Sequence, residues 1–470
     1  MNSMIRFDSS RRAFLRSLVG GSLLFPGLLS QLLAEEQTRS GVADPLSPKP
    51  PHFPPRAKRM ILLYMSGGVS HVESFDPKPG LFRDAGKTLA VDEFQGRKGD
   101  FKMFLKRPQW EFSAHGRCGT EVSALFPHIA ECADDLCVIR SMHSDHTNHY
   151  EATLGIHTGS FTFARPSIGS WVSYGLGSEN RNLPSFIVIA PKTPYAGSQV
   201  WASDFLPGAH QGTLVVPGPE PVANIQRRVP SRLQELELEA MAKLNRRHLA
   251  LRPDDALLDA RIQSFETAFG MQTEMPDVFD LSRETDATLQ LYGLERGSTK
   301  GFAWQCLVAR RLAERGVRFI ELIDVGSSDN WDAHGDMLTH VPLAKNVDRP
   351  IAGLLRDLKS RGMLEETLVV WTTEFGRTPF NNAADAKGRE HHHWVFSSWL
   401  AGAGVKAGMV YGESDEHGIR PAKNPVHVHD FHATILHLMG LDHERLTFRH
   451  NGRDYRLTDV AGRVVKGILA

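Results

Sequence analysis

The chain has 470 residues, 41% of them hydrophobic and 9% aromatic, enough to bury a core in one large α/β domain or two smaller ones. Lysine plus arginine equals aspartate plus glutamate at 54 each, so no net field draws in nucleic acid or a membrane surface. Cys118, Cys132, Cys137 and Cys306 lack metal-ligand spacing and are too few for a disulfide scaffold, which leaves at most one bridge among the first three. The 22 histidines are the compositional oddity, and many of them cluster.

The first residues read as an address. "SRRAFLR", Ser10 to Arg16, precedes the apolar run "LVGGSLLFPGLLSQLLA", which is the pattern of a signal peptide, and the paired arginines point to the twin-arginine route. Gly20, Gly21 and Pro26 interrupt the run and make it a poor membrane helix. Residues 1–43 are therefore expected to direct export to the periplasm or another extracytoplasmic place, with no integral span once the signal is removed. Ala34 or Ala43 could end it. Residues 44–55, "DPLSPKPPHFPP", read as an extended proline-rich linker.

Residues 56–470 are expected to form a single α/β domain. "RMILLYMSGG" is an apolar run ending in glycines, as a buried parallel strand leading into a functional loop would be. Similar runs follow at "DLCVIRS", "PSFIVIA", "VRFIELI" and "TLVVWTT", and none alternates cleanly. Phe302, Cys306, Ala309 and Ala313 recur at helical spacing before a stop at Gly316. Leu343, Val347, Ile351, Leu354 and Leu358 do the same up to Gly362, with Pro350 expected to kink or divide that helix. "SRLQELELEAMAKLNRRHLA", from Ser231, reads as a charged amphipathic helix on the outside. The alternation predicts a central, mostly parallel sheet covered by helices on both faces.

Ligands of such sheets bind beyond the carboxyl ends of the strands. The segments there are "SGGVSHVESFD", "SMHSDHTNHYEATLGIHTGS", "SSDNWDAHGD" and "EFGRTP", with "GREHHHW" beyond, and they hold most of the clustered histidines and acids. Asp332, His334 and Asp336 fall within "NWDAHGD", a carboxylate–imidazole set that suits zinc, manganese or iron. Glu374, at the end of its strand, is a third candidate ligand. On an extended segment neighbouring side chains of "GREHHHW" face opposite ways, so His391 with His393, or His392 alone, could reach one ion. Arg377 and Arg389 suit a bidentate grip on phosphate, sulfate or carboxylate. His149 could act as nucleophile, general base or ligand. The bland readings are a polar loop for "NWDAHGD", a surface patch for the three histidines, and ordinary surface charges for the arginines. No G-x-S-x-G elbow, H-E-x-x-H pair or strand-linked G-x-G-x-x-G is present, which removes support for serine-hydrolase, zincin and nucleotide-cofactor chemistry.

Together, "MILLYMSGGVSHVESFDPKPG", "NWDAHGDML", "TTEFGRTP" and "GREHHHWVFSSWLAGAGVKAG" resemble the exported bacterial proteins grouped as domain of unknown function 1501, over nearly the whole chain after the linker. That family is held to be a distant branch of the alkaline phosphatase/sulfatase superfamily. The resemblance implies a large α/β sandwich of that type with a divalent-metal site at the strand ends, and "HDFHATILHLMGL" looks like the C-terminal helix of sulfatases. It also exposes departures. The paired aspartates that sulfatases carry at the end of the first strand are replaced by "MSGG". The modified cysteine or serine falls near Tyr150 and His149, neither of which can become formylglycine. An Asp-His pair is replaced by Glu374-Phe375, and "GRDH" by "GREH". Asp332 and His334 resemble the superfamily's intervening metal-binding Asp and His.

The leading expectation is an exported, metal-dependent hydrolase-like protein acting on a phosphate or sulfate ester, such as a sulfated or phosphorylated glycan. Asp332, His334, Glu374 and His391 or His392 would hold a divalent ion, Arg377 and Arg389 would bind the anion, and His149 would be the nucleophile or base. The alternative is a non-catalytic descendant of the fold that binds a glycan or a protein. A structural cell-surface role lacks the repeats it would need.

Overall fold

The computed structural model describes residues 45–470, apart from residue 228 and residues 253–255. The expected signal region lies outside the described residues. Residues 45–227 and 256–470 form one compact unit; the helix Ser231–Ala250 belongs to another and is amphipathic, with no fully buried residue among those described in it.

The large unit is built on a nine-stranded sheet. In chain order its strands are β1 (Arg59–Tyr64), β2 (Leu136–His143), β3 (Phe186–Ile189), β4 (Thr213–Val215), β5 (Phe319–Ile323), β6 (Thr367–Thr372), β7 (Phe396–Ala401), β8 (Met409–Tyr411) and β9 (Val426–His427). Their spatial order is β8-β2-β7-β6-β1-β5-β3-β4, with β9 pairing β2. Only β7 runs antiparallel to its neighbours, β6 and β2; every other pairing is parallel. The mostly parallel α/β sheet read from the sequence is the one found.

The main helices are α1 (His149–Thr158), α2 (Ile168–Leu176), α3 (Phe302–Glu314), α4 (His340–Ser360) and α5 (Val428–Leu438). Strand β1 shows why none of the five apolar runs alternates. Ile61 and Leu63 face one core, with Leu307 and Leu312 of α3 and Ile351 and Leu354 of α4. Met60, Leu62 and Tyr64 face the other, with Ile156 of α1, Trp171 of α2 and Ile435 of α5. Both faces are dry, so both sets of positions are apolar.

One expectation changes and two readings gain detail. Pro350 does not divide α4, which runs unbroken from His340 to Ser360; a proline ring removes one ladder hydrogen bond, and the buried stripe Val347, Ile351, Leu354, Leu358 holds the rest in place. All four cysteines are free, Cys132 and Cys137 in the core and Cys118 exposed, so no bridge forms among the first three. The stretch 45–55 has no helix or strand, yet it is not loose: the backbone N–H of Lys49 donates to the Leu176 carbonyl at 3.0 Å and that of His52 to Gly440 at 2.9 Å. Among the described residues no helix is long and apolar enough to cross a membrane.

Candidate metal centre

Parallel strands bring their carboxyl ends to one edge, and four of those ends meet there. Past β1, Gly67 takes up a positive φ of 113°, and a Cβ there would lie 2.7 Å from the Trp331 nitrogen. Its N–H donates to Glu374 Oε1 at 2.8 Å, so the first loop is tied to the end of β6. Past β2, Asn148 caps α1 by accepting from the Tyr150 N–H, which sets His149 at the first helical position. Past β5, Asn330 Oδ1 accepts from the Asp332 N–H at 3.1 Å and turns that carboxylate toward the edge. Past β6, the two-residue strands Gly376–Arg377 and His391–His392 pair antiparallel, Arg377 opposite His391.

Three imidazoles converge on Asp332. His334 Nε2 lies 2.8 Å and His391 Nε2 3.2 Å from Asp332 Oδ1, and His149 Nε2 lies 3.4 Å from Oδ2. The far nitrogen of each ring meets an acceptor: His149 Nδ1 faces Glu374 Oε1 at 2.7 Å, His334 Nδ1 faces Glu390 Oε2 at 2.7 Å, and His391 Nδ1 faces the Thr147 carbonyl at 2.7 Å. An acceptor there keeps the proton on Nδ1, so each neutral ring turns the lone pair of Nε2 toward Asp332. The Nε2 atoms of His334 and His391 are 2.9 Å apart. Two lone pairs at that distance repel unless a proton or a cation lies between them. His149 Nε2 is buried without a hydrogen-bond partner, which is costly for a polar atom.

Charge states follow the same contacts. The Asp332 and Glu390 carboxylates raise His334 to about 9, against a smaller loss from burial. Burial pushes Asp332 up, but the imidazoles of His149, His334 and His391 and the Arg377 charge together hold it well below the carboxylate range. Burial lowers His149, and the Asp332 and Glu374 carboxylates more than offset this, leaving it raised. His391 is lowered by burial, with Asp332 opposing. A proton on one of the two rings, or a metal ion in its place, relieves that repulsion. The donors fit such an ion: three imidazole nitrogens and one carboxylate oxygen suit zinc, manganese or iron, and an acceptor behind each ring is the support ligating histidines use. Among the described residues, His149, Asp332 and His391 offer ligand atoms that all lie within 4.8 Å of one another.

Residues 57–469 match the model of the family described as "Protein of unknown function (DUF1501)". The chain belongs to that family. No curated protein matches it. Among solved structures it is similar to the lipoteichoic acid synthase LtaP from Listeria monocytogenes, at 9% identity, covering 88% of this chain and 78% of that one with a TM-score of 0.38. It is also similar to the PsFucS1 sulfatase from Pseudoalteromonas sp., at 13% identity with coverages of 90% and 72% and a TM-score of 0.35. The phosphonate monoester hydrolase SpPMH from Silicibacter pomeroyi gives 12% identity, coverages of 73% and 71%, and a TM-score of 0.34.

In this DUF1501 protein the edge gathers most of the residues that the sequence singled out, but not all in the expected places. Asp332, His334 and His391 meet. His149, expected as nucleophile or base, sits among the same donors. Glu374, expected as a ligand, lies behind His149; it is fully buried and accepts from Tyr64 Oη at 2.9 Å, Gly67 N–H and Thr373 Oγ1 at 3.1 Å. His392 does not reach the cluster. Alternation along its short strand turns it to the other face, where it is buried, donates to the Ile419 carbonyl and stacks on His71. Neither arginine is presented to a ligand. Arg377 is fully buried and binds Asp332 Oδ1 at 2.6 Å and the carbonyls of Gly67 and Gly68. Arg389 pairs with Glu73 at 2.7 Å and donates to carbonyls of Thr378, Lys106 and Arg107. Glu390, the Thr147 carbonyl and Tyr195, stacked on His149 with ring centroids 4.2 Å apart, were not singled out by sequence. The signal for Glu390 was present, since it stands one residue before His391.

Proposed function

We propose that this is an exported, metal-dependent hydrolase-like protein acting on a phosphate or sulfate ester, with Asp332, His334, His391 and His149 holding one divalent ion of zinc, manganese or iron. The observation that carries the reading is the facing pair of Nε2 atoms on Asp332, each ring backed by an acceptor. Such an ion polarises an ester oxygen and lowers the pKa of a water. The chain's own residues do the rest. Glu374, Glu390 and the Thr147 carbonyl fix the ring tautomers; Arg377 anchors Asp332; Tyr195 covers one face of His149 and keeps water from it. A sulfated or phosphorylated glycan is the kind of substrate an exported protein of this sort would meet, and the balanced net charge favours no nucleic-acid partner.

The test is elemental mass spectrometry of untagged protein purified without chelator. The wild type is expected to carry about one equivalent of ion, and the double variant Asp332→Ala/His391→Ala to carry none while keeping its far-ultraviolet circular dichroism. Unchanged metal content in the folded double variant would sink the ligand assignment. A folded wild type that takes up no added ion would leave the non-catalytic glycan- or protein-binding role.

A further inference from the structure

Resting on the hydrolase reading, we infer that the reacting group of the substrate carries one negative charge, as in a phosphoric diester or a sulfate monoester, and not the two of a phosphate monoester. The charges around the cluster decide this. Asp332 takes Arg377 Nη2 at 2.6 Å. Glu374 is surrounded by donors, from Gly67, Tyr64, Thr373 and His149. Glu390 takes Gln95 Nε2 at 2.8 Å as well as His334. All three carboxylates are therefore held as anions. Among the described residues, Arg377 is the one lysine or arginine that touches any of them. A divalent ion would bring the assembly to neutrality and no further.

The two arginines that could have added positive charge for a dianion are committed elsewhere. Arg377 is fully buried, with Nε on the Gly68 carbonyl at 2.9 Å and Nη1 on that of Arg389 at 3.3 Å. Arg389 is neutralised by Glu73. Lys192 is paired with Asp329 at 3.0 Å. A neutral, part-buried centre accepts one anionic charge through the ion, whereas a second charge meets three fixed carboxylates with no counter-charge. Hydrolysis of either ester also changes the charge favourably for release. The water oxygen bonds to phosphorus or sulfur, the bond to the leaving alkoxide oxygen breaks, the alkoxide takes one water proton, and the other proton goes to solvent. The product is a phosphate monoester or sulfate with two charges, which the same carboxylates repel.

The ion-loaded full-length protein is assayed with bis(para-nitrophenyl) phosphate, para-nitrophenyl sulfate and para-nitrophenyl phosphate. At least one singly charged ester is expected to exceed the phosphate monoester in kcat/KM by roughly tenfold or more, and which of the two is faster names the source. If the monoester is preferred, the charge inference fails and the hydrolase reading stands; if none of the three is turned over, the hydrolase reading fails and takes the inference with it. Calorimetric binding of dimethyl phosphate against inorganic phosphate at alkaline pH gives a readout without turnover, and tighter inorganic phosphate overturns the inference. Glu390→Gln removes one negative charge while leaving an oxygen for His334, and is expected to move the preference toward the monoester by roughly tenfold; an unmoved ratio counts against it.

Discussion

The imidazole of His149 is gripped on one side and open on the other. Its Nδ1 meets Glu374, whose carboxylate is itself fixed by Tyr64, Gly67 and Thr373, while Nε2 faces Asp332 Oδ2 at 3.4 Å without a hydrogen bond. An acceptor behind a ligating ring fixes tautomer and direction, and removing it costs metal affinity by roughly 10–100-fold. Glu374→Ala, which removes that acceptor, is therefore expected to weaken ion binding by about that factor, read by competition with a chromophoric chelator on protein that keeps its far-ultraviolet circular dichroism; an unchanged affinity would mean that His149 is not a ligand. "GREHHHW" shows both what could be read at this scale and what could not. Strand alternation already separated His391 from His392, and the structure puts one on the cluster and the other on Ile419. Which of them met Asp332 depended on the side from which "NWDAHGD" arrives, and no local pattern encodes that.

At the scale of elements, the site depends on how closely two loops pass. Gly388 packs against the segment that carries His334: a Cβ there would fall 1.9 Å from the His334 carbonyl oxygen and 2.6 Å from that of Ala333. The next residue, Arg389, donates its N–H to Ala333 at 3.0 Å, so the contact sets the spacing between "NWDAHGD" and "GREHHHW". Gly388→Ala is expected to cost about 1–3 kcal/mol by overpacking and to push His391 from His334. The check is a fall in both denaturant midpoint and metal content; lost stability with full metal content would show that the spacing is not critical. The five apolar strands and the helices around 302–315 and 340–360 were legible because burial on both faces leaves an unmistakable run. The antiparallel ladder Thr88–Phe94 with Arg97–Leu105, off the main sheet, was not read, since its burial is patchy and much of its sequence is charged.

For the whole molecule, one buried acid ties the edge of the sheet to overall stability. Asp324, just past β5, is 2% exposed and accepts from Trp331 Nε1 at 2.9 Å and Asn346 Nδ2 at 3.0 Å. Burial outweighs those donors and pushes the carboxyl up from 3.8 to about 7. The folded state thus holds this proton more tightly than the unfolded chain. The contribution is fully present below the unfolded value and is lost as pH rises through about 7, roughly 2–3 kcal/mol between about pH 5 and about pH 8. Asp324→Asn is expected to flatten that part of the pH–stability curve in denaturant unfolding; an unaltered slope would place the carboxylate's proton elsewhere.

The five apolar strands, the helices around 302–315 and 340–360, the mostly parallel sheet and the stretches that supply the site were determined by the sequence alone, because apolar runs, glycine stops and polar strand ends are local patterns set by burial and backbone geometry. The division of labour within the site was decided by tertiary structure. Four strand ends had to meet before Glu374 could stand behind His149 and before Arg377 and Arg389 could be closed off by carbonyls and carboxylates. Whether a charged side chain faces a ligand or a neighbour depends on residues hundreds of positions away, and such contacts leave no trace in local spacing.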